Sequence, residues 1–373
     1  MKCRENHNFN SVRFDRALEI IKSKEKNEVL YESLMENKEW SERFHDYLKG
    51  KKTLPLLYEP FFQVIFNPEN HKGRLSILLS SILGQEVTVL EVLERESSSF
   101  IGTLVIMDMV VRMGDGSVAN IEIQKVPYMF PAERISCYSS DLIMRQYRRL
   151  SGQNEMFSYK NMRKVHTIIF FEESSSKLKS PLDKKNYFHV GKTRFNTEIG
   201  IELLQEFHLI SLDTFRKYRY PNIKDGDIEI TEYDYDEREY RNEATEKMKR
   251  DRLMFLSLFS VENVEDADKL QKIFPELSPI FHDMCEYMER PEEVLKMFSE
   301  ALSIMDRNTI NLMVDQWKIE VEEAKEEIAK SKAEIEKFKA DAAKEKARAD
   351  KLEAELAKMK ALQENNAGDD TGK

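Results

Sequence analysis

Asp108-Met109-Val110-Val111-Arg112-Met113-Gly114-Asp115-Gly116-Ser117-Val118-Ala119-Asn120-Ile121-Glu122-Ile123-Gln124 is two β-favouring runs joined by a Gly-Asp-Gly turn, and its reading decides the fold. β-branched residues on either side of such a turn predict an antiparallel hairpin. Side chains alternate along a strand, so Glu122 and Gln124 share one face while Ile121 and Ile123 turn towards packing. Asp108 lies on the preceding strand and can approach Glu122, although one sequence does not fix the register. Two adjacent carboxylates repel unless a proton or cation compensates them, so the pair is a candidate site for a hard divalent ion. Oxygen ligands favour magnesium over zinc, with manganese as a substitute, and such an ion beside a phosphate supports hydrolysis.

Outward from the hairpin, residues 58–66 and 73–83 carry helical patterns, the first ended by Asn67-Pro68 and the second by Gly84. Residues 87–93, 105–112 and 117–124 read as strands, 132–150 as a helix, 164–171 as a compact apolar strand, and 199–212 as a further strand or strands. Alternation of helices and strands predicts an α/β core whose strand order the sequence leaves open. The first 53 residues read as a helical leader or small subdomain. Residues 54–241 then form the α/β domain, ending in a connector at 225–241 that is dense in Asp, Glu and Tyr and is expected to be solvated. Helices follow over 242–310, divided by Pro275, Pro279 and Pro291. Residues 311–363 lack Gly and Pro and are rich in Ala, Glu and Lys, which predicts a long helix. Ile328, Ile335, Ala342, Ala349 and Leu356 recur at sevens there, with Ser331, Phe338, Glu345, Leu352 and Met359 beside them. That interrupted seam predicts a weak coiled coil and a homo-oligomer. The end, 364–373, reads as a disordered tail.

Composition narrows the function. The chain has 373 residues, 41% hydrophobic and 34% charged, with a net charge of -10, which argues against indiscriminate coating of nucleic acid. Locally the balance reverses: Lys125, Arg134, Arg145, Arg148, Arg149, Lys160, Arg163 and Lys164 outnumber Glu133, Asp141 and Glu155. The polar start and the lack of a long apolar run lead to an expectation of a cytoplasmic protein without membrane spans. Cys3, Cys137 and Cys285 are far apart, and the seven histidines suggest no close metal cluster. Gly191-Lys192-Thr193 lacks the upstream glycine-rich cradle of a nucleotide-triphosphate loop.

The ordered set Tyr58-Glu59-Pro60-Phe61-Phe62-Gln63-Val64-Ile65-Phe66, Met107-Asp108-Met109-Val110-Val111-Arg112, Asp115-Gly116 and Ile121-Glu122-Ile123-Gln124 resembles the PD-(D/E)XK nucleases. More narrowly, it is similar to their transposase-associated, recombination-promoting branch, with Arg134, Tyr138, Gln146 and Tyr147 matching the helix after the hairpin. The resemblance covers residues 54–212. It implies a restriction-endonuclease-like mixed sheet flanked by helices and magnesium-dependent hydrolysis of DNA. It further implies Asp108, Glu122 and the Ile123 carbonyl as metal ligands. Gln124 stands where the superfamily's usual lysine stands; it hydrogen-bonds but carries no charge and no useful proton-transfer pKa. Lys125, one residue on, is expected on the other side of the strand. Glu59 is a further candidate acid, and Arg134, Tyr138 and Gln146 are candidate DNA contacts. Two other classes of function stay open: a catalytically inactive DNA-binding relative, and a coiled-coil adaptor that does not bind DNA.

Overall fold

The computed structural model describes residues 7–71, 73–93, 96–98, 104–106, 109–125, 132–153, 157–179, 184–193, 195–197, 199–234 and 246–367. Three helices come first, α1 (His7–Lys22), α2 (Glu25–Glu36) and α3 (Lys38–Leu48), followed by α4 (Glu59–Phe66) and α5 (Arg74–Leu83). Strands β1 (Val89–Leu93), β2 (Glu96–Ser98), β3 (Leu104–Ile106), β4 (Met109–Met113) and β5 (Val118–Gln124) lead into α6 (Ala132–Gln153). Next come β6 (Val165–Phe171), β7 (Phe188–Lys192), β8 (Gln205–Ser211), α7 (Leu212–Tyr218) and α8 (Tyr220–Lys224). The chain finishes with α9 (Glu246–Ser260), α10 (Val264–Ile273), α11 (Ser278–Glu286) and α12 (Pro291–Ala367).

The main sheet has the order β1-β4-β5-β6-β8-β7, and β2 and β3 form a separate antiparallel pair. β5 pairs antiparallel with β4 and parallel with β6, so it is the point where the strand direction changes. The parallel step needs a crossover, which α6 supplies. The tight turn between β4 and β5 has a local cause. Asp115 accepts hydrogen bonds from the Ser117 amide at 2.9 Å and hydroxyl at 2.5 Å, and Gly116 takes φ 84, a left-handed conformation that suits glycine.

Adjacent paired residues share a face, and the two faces are packed differently. Met109, Val111, Ala119, Ile121, Ile168, Phe170 and Ile210 join a large core with the helices. Val110, Val118 and Val165 instead pack under Tyr138 and Leu142 of α6. The α1–α3 segment contributes Ile21, Trp40, Phe44 and Tyr47 to the large core. Trp40 meets Tyr58 at a ring separation of 4.8 Å, and Phe298 of α12 meets Phe61 at 5.0 Å and Phe44 at 5.2 Å, in edge-to-face geometry.

The mixed sheet flanked by helices and the long C-terminal helix agree with the sequence-based fold class. The differences are instructive. β7 was not foreseen; it is a short edge strand that contains a glycine and pairs with β8. The expected 105–112 strand is described as β3 and β4, with residues 107–108 outside the described residues. The acidic connector is not uniformly solvated, because Asp234 is fully buried.

The chain divides into two compact units, Met1–Met305 and Asp306–Lys373. In the second unit the apolar stripe of α12 is open to solvent: Ile328, Ile335, Phe338, Leu352, Leu356 and Met359 are all exposed. Among the described residues no helix is long and apolar enough to cross a membrane.

Candidate active site

Period-2 alternation places Asn120, Glu122 and Gln124 on the α6 side of β5. Glu122 is 4% exposed, and its Oε1 accepts a hydrogen bond from Asn120 Nδ2 at 3.1 Å. Asn120 is paired with Val110 on β4 and Thr167 on β6, so both stand on this face. The Asn120 Oδ1, the Thr167 Oγ1 and the Ser139 Oγ of α6 are buried without hydrogen-bond partners among the described residues. Each such orphan costs roughly 1–3 kcal/mol, and those of Asn120 and Thr167 share a face with the buried Glu122 carboxylate, which calls for a polar occupant. Sequence reasoning singled out Glu122 and missed Asn120 and Thr167. The signal was a β-disfavoured asparagine two residues before the glutamate in an otherwise apolar strand.

Gln124 is half-buried at the carboxyl end of β5, where its carbonyl accepts from the Glu172 amide at 2.9 Å. The Ile123 side chain packs against the large core, and its backbone runs in the β5–β6 ladder opposite Phe170. Asp108 lies outside the described residues.

Glu59 opens α4 and accepts a hydrogen bond from Gln63 Nε2 at 2.9 Å. The amino end of α4 is held at the carboxyl end of β5 by Lys125, whose ammonium sits 3.4 Å from the centre of the Tyr58 ring and 2.5 Å from Glu172 Oε2. Lys125 therefore serves the opposite face from Glu122, as alternation required. Burial outweighs the attraction of Glu172 and pulls the Lys125 pKa from 10.5 down to about 8. As pH rises from about 8 to 10.5 the folded chain has released a proton that the unfolded chain still holds, so folding gains stability over that window. Relative to Lys125→Met, the parent is expected to gain up to about 3 kcal/mol there, read from urea midpoints at the two pH values. A constant difference would contradict this account of the lysine.

On α6, Arg134 is exposed and its Nε donates to the buried Tyr138 hydroxyl at 2.6 Å, with the guanidinium 5.1 Å from the ring centre. Tyr138 thus joins a packed ring to a hydroxyl that meets the exposed Arg134. Gln146 is committed to the backbone of Arg163: its Nε2 donates to the carbonyl at 3.2 Å and its Oε1 accepts from the amide. That clamp fixes the entry to β6 and gives Gln146 a structural task. At the same end of α6, Tyr147 and Tyr159 stack at 6.1 Å with Phe157 edge-on to both, and Arg148, Lys160 and Arg163 are exposed nearby in sequence.

The expectation that the histidines form no close cluster is overturned. His166 on β6 and Glu206 and His208 on β8 bring ligand atoms within 4.8 Å of one another, the group of this kind found among the described residues. Parallel pairing aligns His166 with Glu206 across forty residues of sequence, which linear spacing does not reveal.

A family model described as "PD-(D/E)XK nuclease family transposase" matches residues 60–314. No curated protein and no solved structure matches the chain.

Proposed function

The chain belongs to the PD-(D/E)XK nuclease family transposases, and from that premise we propose that it is a magnesium-dependent DNA endonuclease acting in the cytoplasm on behalf of a mobile element. The observation that carries this reading is the buried Glu122 carboxylate, held by Asn120 on a face with orphaned polar groups. The β4–β5 ladder pairs Met109 with Ile121, the residue before Glu122 in β5. We assign Asp108, Glu122 and the Ile123 carbonyl as the oxygen ligands, a donor set that suits magnesium or manganese.

When bound, the ion supplies the positive charge that polarises the scissile phosphate and acidifies the attacking water. The chain's own groups do the rest. Asn120 fixes the rotamer of Glu122 through its amide. Gln124 orients water or phosphate by hydrogen bonds, without the charge a lysine would add. Glu59, at the end of the sheet where Lys125 anchors α4, is a candidate to hold a further water. Arg134 and Tyr138 bind phosphate, and the Tyr147, Phe157 and Tyr159 rings with their basic neighbours offer a second contact for DNA.

The test is cleavage of DNA by the purified full chain with magnesium, with and without chelator. Binding without cleavage would favour the inactive DNA-binding relative, because Gln124 supplies neither charge nor proton. Neither binding nor a metal response would favour the adaptor.

Self-association through α12 is a separate part of the proposal, supported by the exposed apolar residues at seven-residue spacing. Deleting 311–373 is expected to lower the mass measured by light scattering at least to that of the next smaller assembly. An unchanged assembly would reject the role of the helix.

A further inference from the structure

We infer that His166, Glu206 and His208 form a second metal site, built for a divalent transition ion of the zinc class and independent of the Glu122 site. The two sites occupy opposite faces of the sheet. His166 is registered with Ala119 and Glu206, on the side of the large core, whereas Glu122 stands on the α6 side. They also lie towards opposite ends of the strands: His166 and Glu206 are the second residues of β6 and β8, and Glu122 is the fifth of seven in β5.

Three observations point to an ion rather than to a self-contained polar cluster. His166 and His208 are 1% and 3% exposed, and all four of their ring nitrogens lack a hydrogen-bond partner among the described residues. Buried imidazoles are ordinarily satisfied at one nitrogen at least, since an orphaned polar group in the interior is costly. Second, Glu206 directs Oε2 to within 3.5 Å of His166 Nδ1, while its Oε1 is held by Lys164 at 2.6 Å and Lys192 at 3.1 Å. One carboxylate oxygen is thus fixed from outside and the other faces the histidines, the arrangement in which an outer partner orients a ligand. Third, the ligand atoms lie within 4.8 Å of one another. Tetrahedral zinc places such atoms about 3.4 Å apart, so side-chain adjustments of about 1 Å close the site.

Two nitrogens and one oxygen are a borderline donor set that suits zinc, cobalt or nickel and suits magnesium poorly. The opposing charges are Lys164 and Lys192, 40% and 41% exposed and so screened by water, and the buried Arg252, whose Nε and NH1 donate to the carbonyls of Ser81 and Asp234. An ion bridging β6 and β8 pins two neighbouring central strands, which makes its role structural.

The full chain, freed of any affinity-tag histidines and stripped with chelator, is titrated with cobalt and with zinc. The expected result is one equivalent of cobalt giving a visible ligand-field spectrum, displacement of it by zinc, and a zinc-dependent rise in melting temperature that persists on top of any shift from saturating magnesium. His208→Gln and Glu206→Gln should each weaken binding at least about 10-fold, since even outer partners of a ligand are worth that much. His189→Gln, on the neighbouring strand but outside the group, should leave binding intact. If either ligand variant misfolds, the parent's spectrum and melting shift still decide. No cobalt spectrum and no zinc-specific shift in the parent would overturn the inference, as would parental affinity in both folded ligand variants.

Discussion

Glu122→Gln is expected to lower the proposed magnesium-dependent cleavage by orders of magnitude while leaving the fold intact. The substitution keeps the shape of the side chain and an Oε1 that can accept the Asn120 amide, so the 3.1 Å hydrogen bond survives. What disappears is the negative charge and, with it, one of the anionic oxygen ligands proposed for the ion. A metal ion supplies several kcal/mol of transition-state stabilisation, and each 1.36 kcal/mol is tenfold in rate, so the expected loss is about 10³-fold. Asp108→Asn is expected to do the same. Both variants should retain DNA binding, and without metal they should bind more tightly than the parent because a buried repulsive charge has been removed. The melting temperature should match or exceed that of the metal-free parent, since a charge that is 4% exposed no longer has to be kept out of water. Cleavage by Glu122→Gln at the parental rate would remove the carboxylate from the mechanism.

What the sequence disclosed, and what it concealed, follows from the range of the interactions. The hairpin was legible because its determinants are local: alternation, β-branched residues, and a turn in which Asp115 bonds to Ser117 and Gly116 adopts positive φ. From alternation alone Glu122 and Gln124 share a face and Lys125 takes the other. Thr167 escaped notice because its place beside Asn120 depends on the β5–β6 register, and the pairing of His166 with Glu206 depends on the β6–β8 register. Parallel registers are set by how a crossover packs, which no short window records. β7 was hidden for a related reason: Phe188-His189-Val190-Gly191-Lys192 is weak as an isolated strand and is stabilised by pairing with β8. The clamp of Gln146 on the backbone of Arg163 was hidden likewise, because it joins positions seventeen residues apart.

The acidic connector leads to the largest expected change in stability. Asp234→Ala should shift the unfolding midpoint by an amount equivalent to about 3–5 kcal/mol, the typical result of stranding one member of a buried ion pair. Asp234 is fully buried and binds Arg219, whose Nε lies 3.0 and 3.1 Å from its two carboxylate oxygens. It also accepts from the Tyr187 hydroxyl, the Thr231 amide at 2.7 Å and the Thr231 hydroxyl at 3.0 Å. Burial and the adjacent carboxylate hold the Tyr187 phenol protonated well beyond its ordinary range, so it stays a donor to Asp234. Arg219 extends the network by donating to the carbonyls of Asp227 at 3.2 Å and Glu229 at 2.5 Å, which folds the start of the connector back onto α7 and α8. Without Asp234 the guanidinium keeps those carbonyls but has lost its counter-charge. Asp234→Asn preserves the outline and some hydrogen bonds but not the charge, so it should fall between parent and alanine variant. A double replacement, Arg219→Met with Asp234→Ala, should recover part of the loss because no uncompensated charge remains. If the single alanine variant melted with the parent, the network would have to be a surface feature of a solvated segment, as the composition of the connector alone had suggested.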